Sequence, residues 1–411
     1  MAMSGESASA RQPAALRHSL RPSGPLALRP VAPARRGLAF TVHGSFASAE
    51  ADWRRFEQEA LGTGFQSFDW LAQWHAHAGA GIEPAILTIS LGGRPLMLAP
   101  LGIERHMGAR CLVWLGGKFA DYKGPLIAPD FADHLPHGRF AALWPKIQRA
   151  LPKHDVVLFE NQPEYLGEAR NPFVALGGEP ASDPGFVFAL PSSHEEFITR
   201  FRPETRRNDR VKERKLGAQG VLAFRVAATP DEARAMALEI LDQKAEQLRQ
   251  QGIASIFEDE AHRAAYLALA ALPAEKGLLN LQVAQLTLDG RMISGSIAHV
   301  WHGRATLMVH VYDHAHAKLS PGRIHLLKLI ATSIEAGHTH YDLSVGHAAY
   351  KESFCDAPMA IFNLVEAATP WGLASAGALH TRLGLKRAIK TNERLMGWYR
   401  AGRALLAGKS A

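Results

Sequence analysis

Cysteine is nearly absent from this chain of 411 residues: Cys111 and Cys355 stand alone, far apart and without a Cys-x-x-Cys spacing. Neither a disulfide framework nor a zinc knuckle is indicated, and a reducing cytoplasm fits best. No run reaches the roughly 18 uninterrupted apolar residues that would span a bilayer. The histidine pairs His75/His77, His314/His316 and His338/His340 lack a carboxylate or third histidine at ligand spacing, so no metal is expected. The net charge of +7 is concentrated at the two ends and in one helical stretch rather than interleaved with aromatics, which argues against DNA as a partner.

What is present is globular: 47% hydrophobic and 21% charged residues, over a length that favours two domains. Residues 1–36 hold six arginines and one acid among Ala, Pro and Ser. This stretch reads as a disordered leader without the apolar core of a secretory signal, although a transit peptide shares its composition.

An aromatic-rich segment from Asp52 to Ala78 leads into a helix near Trp70, which Ser67 and Asp69 are placed to cap. Pro84–Leu91, the turn Gly92-Gly-Arg94, Pro95–Leu101, the turn Gly108-Ala-Arg110 and Cys111–Leu115 then read as a three-strand meander. The second half repeats the design: Leu281–Leu288, Asp289-Gly-Arg291, Met292–Val300, His302-Gly-Arg304 and Ala305–Tyr312. The echo points to a duplicated unit. Between the meanders lie a strongly basic stretch, Phe201–Gly217, and an amphipathic helix over Asp231–Gln251 with Ala235, Leu238, Leu241, Ala245 and Leu248 on its apolar side. A helix from Pro321 to Ala336 and strands at Tyr341–Val345 and Ala360–Val365 complete a mixed α/β order.

A phosphate-bearing cofactor needs a cradle of free amides, and group transfer needs a polarising charge and a path for a proton. Ser320-Pro321-Gly322-Arg323 has the form of a phosphate-binding helix start. Ser320 stands at the N-cap, Pro321 at the position where its missing N–H costs nothing, Gly322 leaves the free amides approachable, and Arg323 adds charge. If the hairpin pairs Val300 with Ala305, then His299 faces Thr306, Ile297 faces Met308, Gly295 faces His310 and Ile293 faces Tyr312. One face then gathers His299, His310 and Tyr312 as an acceptor cleft, and the other carries the core. Asp342 in its strand needs a partner, for which Lys351 is available. Lys351 serves alternatively to stabilise an oxyanion, and His347 to relay the amine proton. Arg206 and Arg207, on the basic helix, are candidates for a phosphorylated or nucleotide-linked sugar.

Five pieces in order carry a resemblance: Phe65-Gln-Ser-Phe-Asp-Trp70; Arg206-Arg-Asn-Asp-Arg210 through Lys215-Leu-Gly; the Asp289-Gly-Arg291 hairpin; Leu319-Ser-Pro-Gly-Arg323; and Tyr341-Asp-Leu-Ser-Val-Gly346 followed by Tyr350-Lys351. Over roughly residues 50–370 the chain resembles the GNAT-type acetyltransferases of the CelD-like group, associated with cellulose and exopolysaccharide synthesis, and through them the tandem-GNAT Fem-type peptidyltransferases. The resemblance implies an α/β (α+β) fold of two tandem GNAT-like domains, each a mixed, mostly antiparallel sheet flanked by helices. Their expected bounds are 37–190 and 191–375, followed by a basic amphipathic tail at 376–411. It implies acetyl-CoA or another acyl-CoA as co-substrate, a saccharide acceptor, and Asp342, Tyr350 and Lys351 as active-cleft residues, with Asp121 and Tyr122 contributing to the cleft between the domains. A Fem-like enzyme would instead take an aminoacyl-tRNA donor, and a non-catalytic scaffold would contact a membrane-associated synthase complex. The tail, with Lys386, Arg387, Lys390 and Arg394 among apolar residues, suits either an anionic membrane surface or docking onto the protein body.

Overall fold

The computed structural model describes residues 37–106, 108–253, 255–273, 279–392 and 395. The leader and most of the tail beyond Thr391 lie outside the described residues. The first half opens with β1 (Leu38–His43), α1 (Phe46–Phe56) and α2 (Phe68–Ala78). As the sequence predicts, Ser67 caps α2, its hydroxyl accepting from the Trp70 amide at 3.4 Å.

Two strands of the expected meander are broken. β2 (Ile86–Leu91) pairs with β3 (Arg94–Ala99), while β4 (Leu101–His106) pairs with β5 (Ala109–Trp114). Pro100, which has no N–H for a ladder, separates β3 from β4 and sends them into different sheets. β1, β2, β3 and the short strand Leu126–Ile127 form one sheet of four strands. After α3 (His137–Ala150), β6 (Val156–Pro163) runs parallel to β5.

The chain then enters the second sheet through β7 (Gly185–Ala189), followed by α4 (Pro203–Gly217), β8 (Leu222–Val226), α5 (Pro230–Gln250) and α6 (Glu260–Ala270). The long meander is β9 (Asn280–Leu288), β10 (Arg291–Trp301) and β11 (Arg304–Tyr312), close to its expected bounds. α7 (Pro321–Glu335) crosses over to β12 (His340–Val345), parallel to β11. The sheet order is β7-β12-β11-β10-β9-β8.

Sheet membership does not follow the boundary expected at residue 190. β7 precedes it yet pairs with β12, and β13 (Ile361–Ala367) returns from the second half to pair antiparallel with β6 of the first. The halves are thereby interlocked, each sheet completed by a strand from across the expected divide. α8 (Gly372–Thr391) follows β13 and docks on the first half, with Ala376 and Leu379 buried beside Cys111, Val156 and Leu158, and Lys390 paired with Asp183 at 2.6 Å. Further along α8, in the basic stretch, Leu385 is 59% exposed.

α5 packs on the second sheet and against α6, and this rotates its buried face from the one predicted. Ala233, Met236, Ala237, Ile240, Leu241 and Ala245 are buried, whereas Leu238 is 43% exposed. Ile240 fits against Gly295 of β10, where an added Cβ would come within 2.5 Å of it. The aromatic entry segment packs across the divide, with the Phe65 ring edge-on to His299 of β10 at 4.8 Å. A Cβ on Gly64 would stand 2.4 Å from the same imidazole. Gly64→Ala is expected to destabilise the protein by about 1–3 kcal/mol through overpacking at this seam. Urea titration followed by tryptophan fluorescence tests it, and an unchanged midpoint would show that the seam yields freely.

Candidate active site

β11 and β12 are paired only from Arg304/His340 to Thr306/Asp342. Beyond that point β11 continues to Tyr312 and β12 to Val345 without bonding to each other, so the sheet opens into a gap. A cavity of ≈ 260 Å³ lies at this opening, lined from β11 by His310 and Tyr312, from the start of α7 by Ser320, Gly322, Arg323 and Leu326, and by Ala317, Tyr350 and Phe354.

The helix start differs from its expected geometry. Ser320 occupies the N-cap in the left-handed region (φ 52) and its side chain makes no capping bond. Instead its hydroxyl accepts from Lys212 Nζ of α4 at 2.8 Å. At Gly322 a side chain would press on Tyr312 (3.2 Å) and His310 (3.4 Å), so glycine permits the close approach of α7 to β11 that shapes the cavity. Arg323 is held by Asp209 of α4 at 2.9 Å and lies over the rings of Phe201 and Phe354. One terminal guanidinium nitrogen of Arg323 is buried with no hydrogen-bond partner. An orphaned donor, a neighbouring ammonium and a helix N-terminus converge on one cavity, which suits a phosphate-bearing ligand. Arg206 is partly buried on the same basic helix with an unpartnered Nε, and Arg207 is exposed.

On the other side of the gap Asp342 is fully buried. Its partner is Arg304 rather than Lys351: the guanidinium donates to the carboxylate through Nε at 3.0 Å and again through a terminal nitrogen. Tyr122 of the first half donates its hydroxyl to Asp342 at 2.9 Å, and the Ser344 amide donates at 2.7 Å. Ser344, at φ 62, is a left-handed kink in β12 at the point where the strands have parted. Its hydroxyl bonds to Asp121, whose carboxyl is raised above the usual range chiefly by burial, against the pull of the Ser344 bond and the Lys351 charge. Lys351 donates to the carbonyls of Ser344 (3.3 Å) and Val345 (3.1 Å), and burial lowers its ammonium despite Asp121 and Asp342 nearby. Asp121, Tyr122, Asp342 and Lys351, named from sequence, are thus brought together, and Tyr350 lines the cavity beside them.

His347 is not brought in; it is exposed and pairs with Glu352 at 3.3 Å. The expected grouping of His299 with His310 and Tyr312 is also corrected. The hairpin pairs Val300 with Ala305 and His299 with Thr306 as anticipated, but a bulge at Met308 shifts the register, so that Ser296 faces His310 and Ser294 faces Tyr312. The side chains beyond the bulge therefore change face. His310 and Tyr312 turn toward α7, while His299 turns toward Phe65 and Trp70. Both faces of this sheet are covered. Cys355 is no nucleophile by its surroundings, since burial pushes its thiol up to about 11.

Sequence reasoning missed Arg304, Ser344, Lys212 and Asp209. Arg304 ends a glycine turn and reads as a turn residue; only the parallel register with β12 sets it beside Asp342. The first half has a matching parallel pair, Cys111/Val156 to Val113/Leu158. There the space beyond the pairing is filled: Trp114 packs on Phe159 and Phe173 with centroids at 4.7 and 4.9 Å, and its indole N–H donates to Gln162.

Residues 203–352 match the family model described as an acetyltransferase (GNAT) domain. Among solved structures, FemX is 9% identical with a TM-score of 0.53, the match covering 80% of this chain and 95% of that one. A tandem GNAT protein from the clavulanic acid biosynthesis pathway is 12% identical over 81% of this chain and 99% of its own, with a TM-score of 0.43. The C-terminal domain of a putative lysylphosphatidylglycerol synthetase from Agrobacterium fabrum is 11% identical over 82% and 96%, with a TM-score of 0.48. No curated protein matches the chain. The fold is mixed α/β with sheets flanked by helices, GNAT-like over residues 203–352 and similar to FemX over both halves. Residues 203–352 thus carry a GNAT acetyltransferase domain, which supports an acyltransferase and implies the use of acyl-CoA.

Two outcomes follow from the buried charges. Asp342→Asn leaves Arg304 unpaired and should cost about 3–5 kcal/mol, measured by denaturant titration, whereas Asp342→Asn with Arg304→Met should recover most of that loss. Burial, with a smaller effect of the Arg304 charge, depresses the His299 imidazole to about 3. The folded state therefore refuses a proton that the unfolded chain accepts below its ordinary value. The resulting stability is complete above about pH 6.5 and declines by about 1.4 kcal/mol per pH unit as pH falls toward 3. His299→Leu should flatten this decline between pH 6.5 and 4, as read from urea midpoints; an identical slope would exclude His299 as its source.

Proposed function

We propose that the protein transfers an acyl group from acyl-CoA to an amine or hydroxyl of a sugar or polysaccharide precursor, with the gap between β11 and β12 as the donor site. The observation that carries the donor assignment is the convergence of the splayed strands and the α7 start on one cavity. Arg323, Lys212 through Ser320, and the first-turn amide of Gly322 would hold the pyrophosphate. The bound acyl-CoA supplies an activated thioester carbonyl, and the residues of this chain orient it and handle the proton. Tyr350 lines the cavity and is positioned to exchange a proton with the leaving thiolate.

The acceptor class rests on the CelD-like motifs, and on the basic side chains of α4, with partly buried Arg206 and exposed Arg207 as contacts for a phosphorylated or nucleotide-linked sugar. Among the described residues no helix is long and apolar enough to cross a membrane. The remaining basic residues near the C-terminus would serve a peripheral contact with an anionic membrane.

Isothermal titration with acetyl-CoA tests the donor assignment. Binding in the micromolar range is expected, and Gly322→Val, which fills the space against Tyr312 and His310, should weaken it by about ten-fold, or about 1.4 kcal/mol. Absence of binding at millimolar acetyl-CoA would refute donor use, and an unchanged affinity in Gly322→Val would place the pyrophosphate elsewhere. A salt-sensitive affinity for tRNA in place of acetyl-CoA binding would identify an aminoacyl-tRNA donor instead.

A further inference from the structure

Lys244 lies on α5, the helix that packs on the second sheet and against α6, and it has no role in the cofactor cradle described above. Its ammonium donates to the carbonyl of His310 at 3.2 Å and to the Gln247 side chain at 3.4 Å. It forms no ion pair among the described residues. Lys351 is anchored in the same manner on the carbonyls of Ser344 and Val345. His310 belongs to the unpaired end of β11, and Ser344 and Val345 to the unpaired end of β12. The two ammonium groups therefore mark the two rims of the gap, one on each departing strand. Neighbouring Gln243 has a buried side-chain oxygen without a partner, so the polar surface of α5 is incompletely satisfied here.

The charges around this pair do not cancel. Asp342 is already matched by Arg304, and Asp121, bonded to Ser344, faces Lys351. No carboxylate is left for Lys244. Burial, together with the like charge of Lys351, lowers its ammonium from the ordinary value. A partly buried cation that touches only neutral acceptors keeps an unmet demand for an anion.

We propose that Lys244 and Lys351 together receive one anionic group, a carboxylate or a phosphate monoester, carried by the acceptor. This rests on reading the gap as the site of acyl transfer, and it narrows the acceptor from any sugar precursor to an acidic one. The anion would seat between the rims and present the nucleophile to the thioester. Neutral acceptors would leave Lys244 uncompensated and bind poorly.

Reductive methylation with formaldehyde and cyanoborohydride, mapped residue by residue by mass spectrometry, tests this on the full chain saturated with coenzyme A. Inorganic phosphate and acetate are the probes, with chloride at matched ionic strength as the reference. One of the two should slow modification of Lys244 and Lys351 together by about ten-fold while leaving exposed Lys118 and Lys386 unaffected, and which one succeeds tells phosphate from carboxylate. In Lys244→Met the protection at Lys351 should be lost, with calorimetry of coenzyme A serving as the check that the variant is folded. Equal protection at all lysines, no protection by either anion, or protection of Lys351 that persists in Lys244→Met would overturn the proposal. If coenzyme A does not bind, the donor assignment fails by itself, and the lysine protection is read on the protein without it.

Discussion

The buried carboxylate of Asp342 is the constraint on which the site depends. It is fully enclosed and receives hydrogen bonds from Arg304 on the adjacent strand, Tyr122 on the other half and the amide of Ser344 on its own strand. An isolated carboxylate in such a place would cost several kcal/mol, so each donor is required. Three elements are fixed by one group: the last paired rung of β11 and β12, the left-handed turn at Ser344, and the contact between the halves. A serine at φ 62 carries a penalty on the order of 1 kcal/mol, which its hydrogen bonds to Asp342 and Asp121 offset. The gap begins where this clamp ends.

The two halves share a plan but divide the labour. Each places a pair of parallel strands side by side, joined by a crossover containing a long helix, α3 in the first and α7 in the second. In the first half the room beyond the pairing is taken by Trp114, Phe159 and Phe173. In the second it is left open, and the surrounding polar groups include several with unmet hydrogen-bonding capacity. The exchange of β7 and β13 makes the first half a fixed wall of the second half's cleft, which is how Asp121 and Tyr122 come to touch β12.

Much of this was legible in the sequence. Glycine turns and alternating strands gave the β9-β10-β11 meander almost to the residue, and Ser320-Pro-Gly-Arg marked the start of α7. The bulge at Met308 was not legible, because no local signal separates a bulged strand from a regular one, and a single extra residue moves His310 and Tyr312 to the opposite face from His299. The buried face of α5 was missed for a different reason: its apolar residues extend round the helix, and only its packing against the sheet and α6 decides which are covered. Asp342 was recognised as needing a partner, but nearness in sequence favoured Lys351, while the actual partner, Arg304, is brought in by the parallel crossover. Long-range pairing of this kind has no counterpart in spacing.

Under the proposed function the gap between β11 and β12 holds the acyl-CoA, while its counterpart in the first half is closed by aromatic side chains. A crystal structure of the protein grown with coenzyme A tests this most directly. It should show one coenzyme per chain, its pyrophosphate at Ser320–Arg323 and its thiol end between the parted strands. Coenzyme bound beside Trp114 in the first half, or away from both gaps, would contradict it.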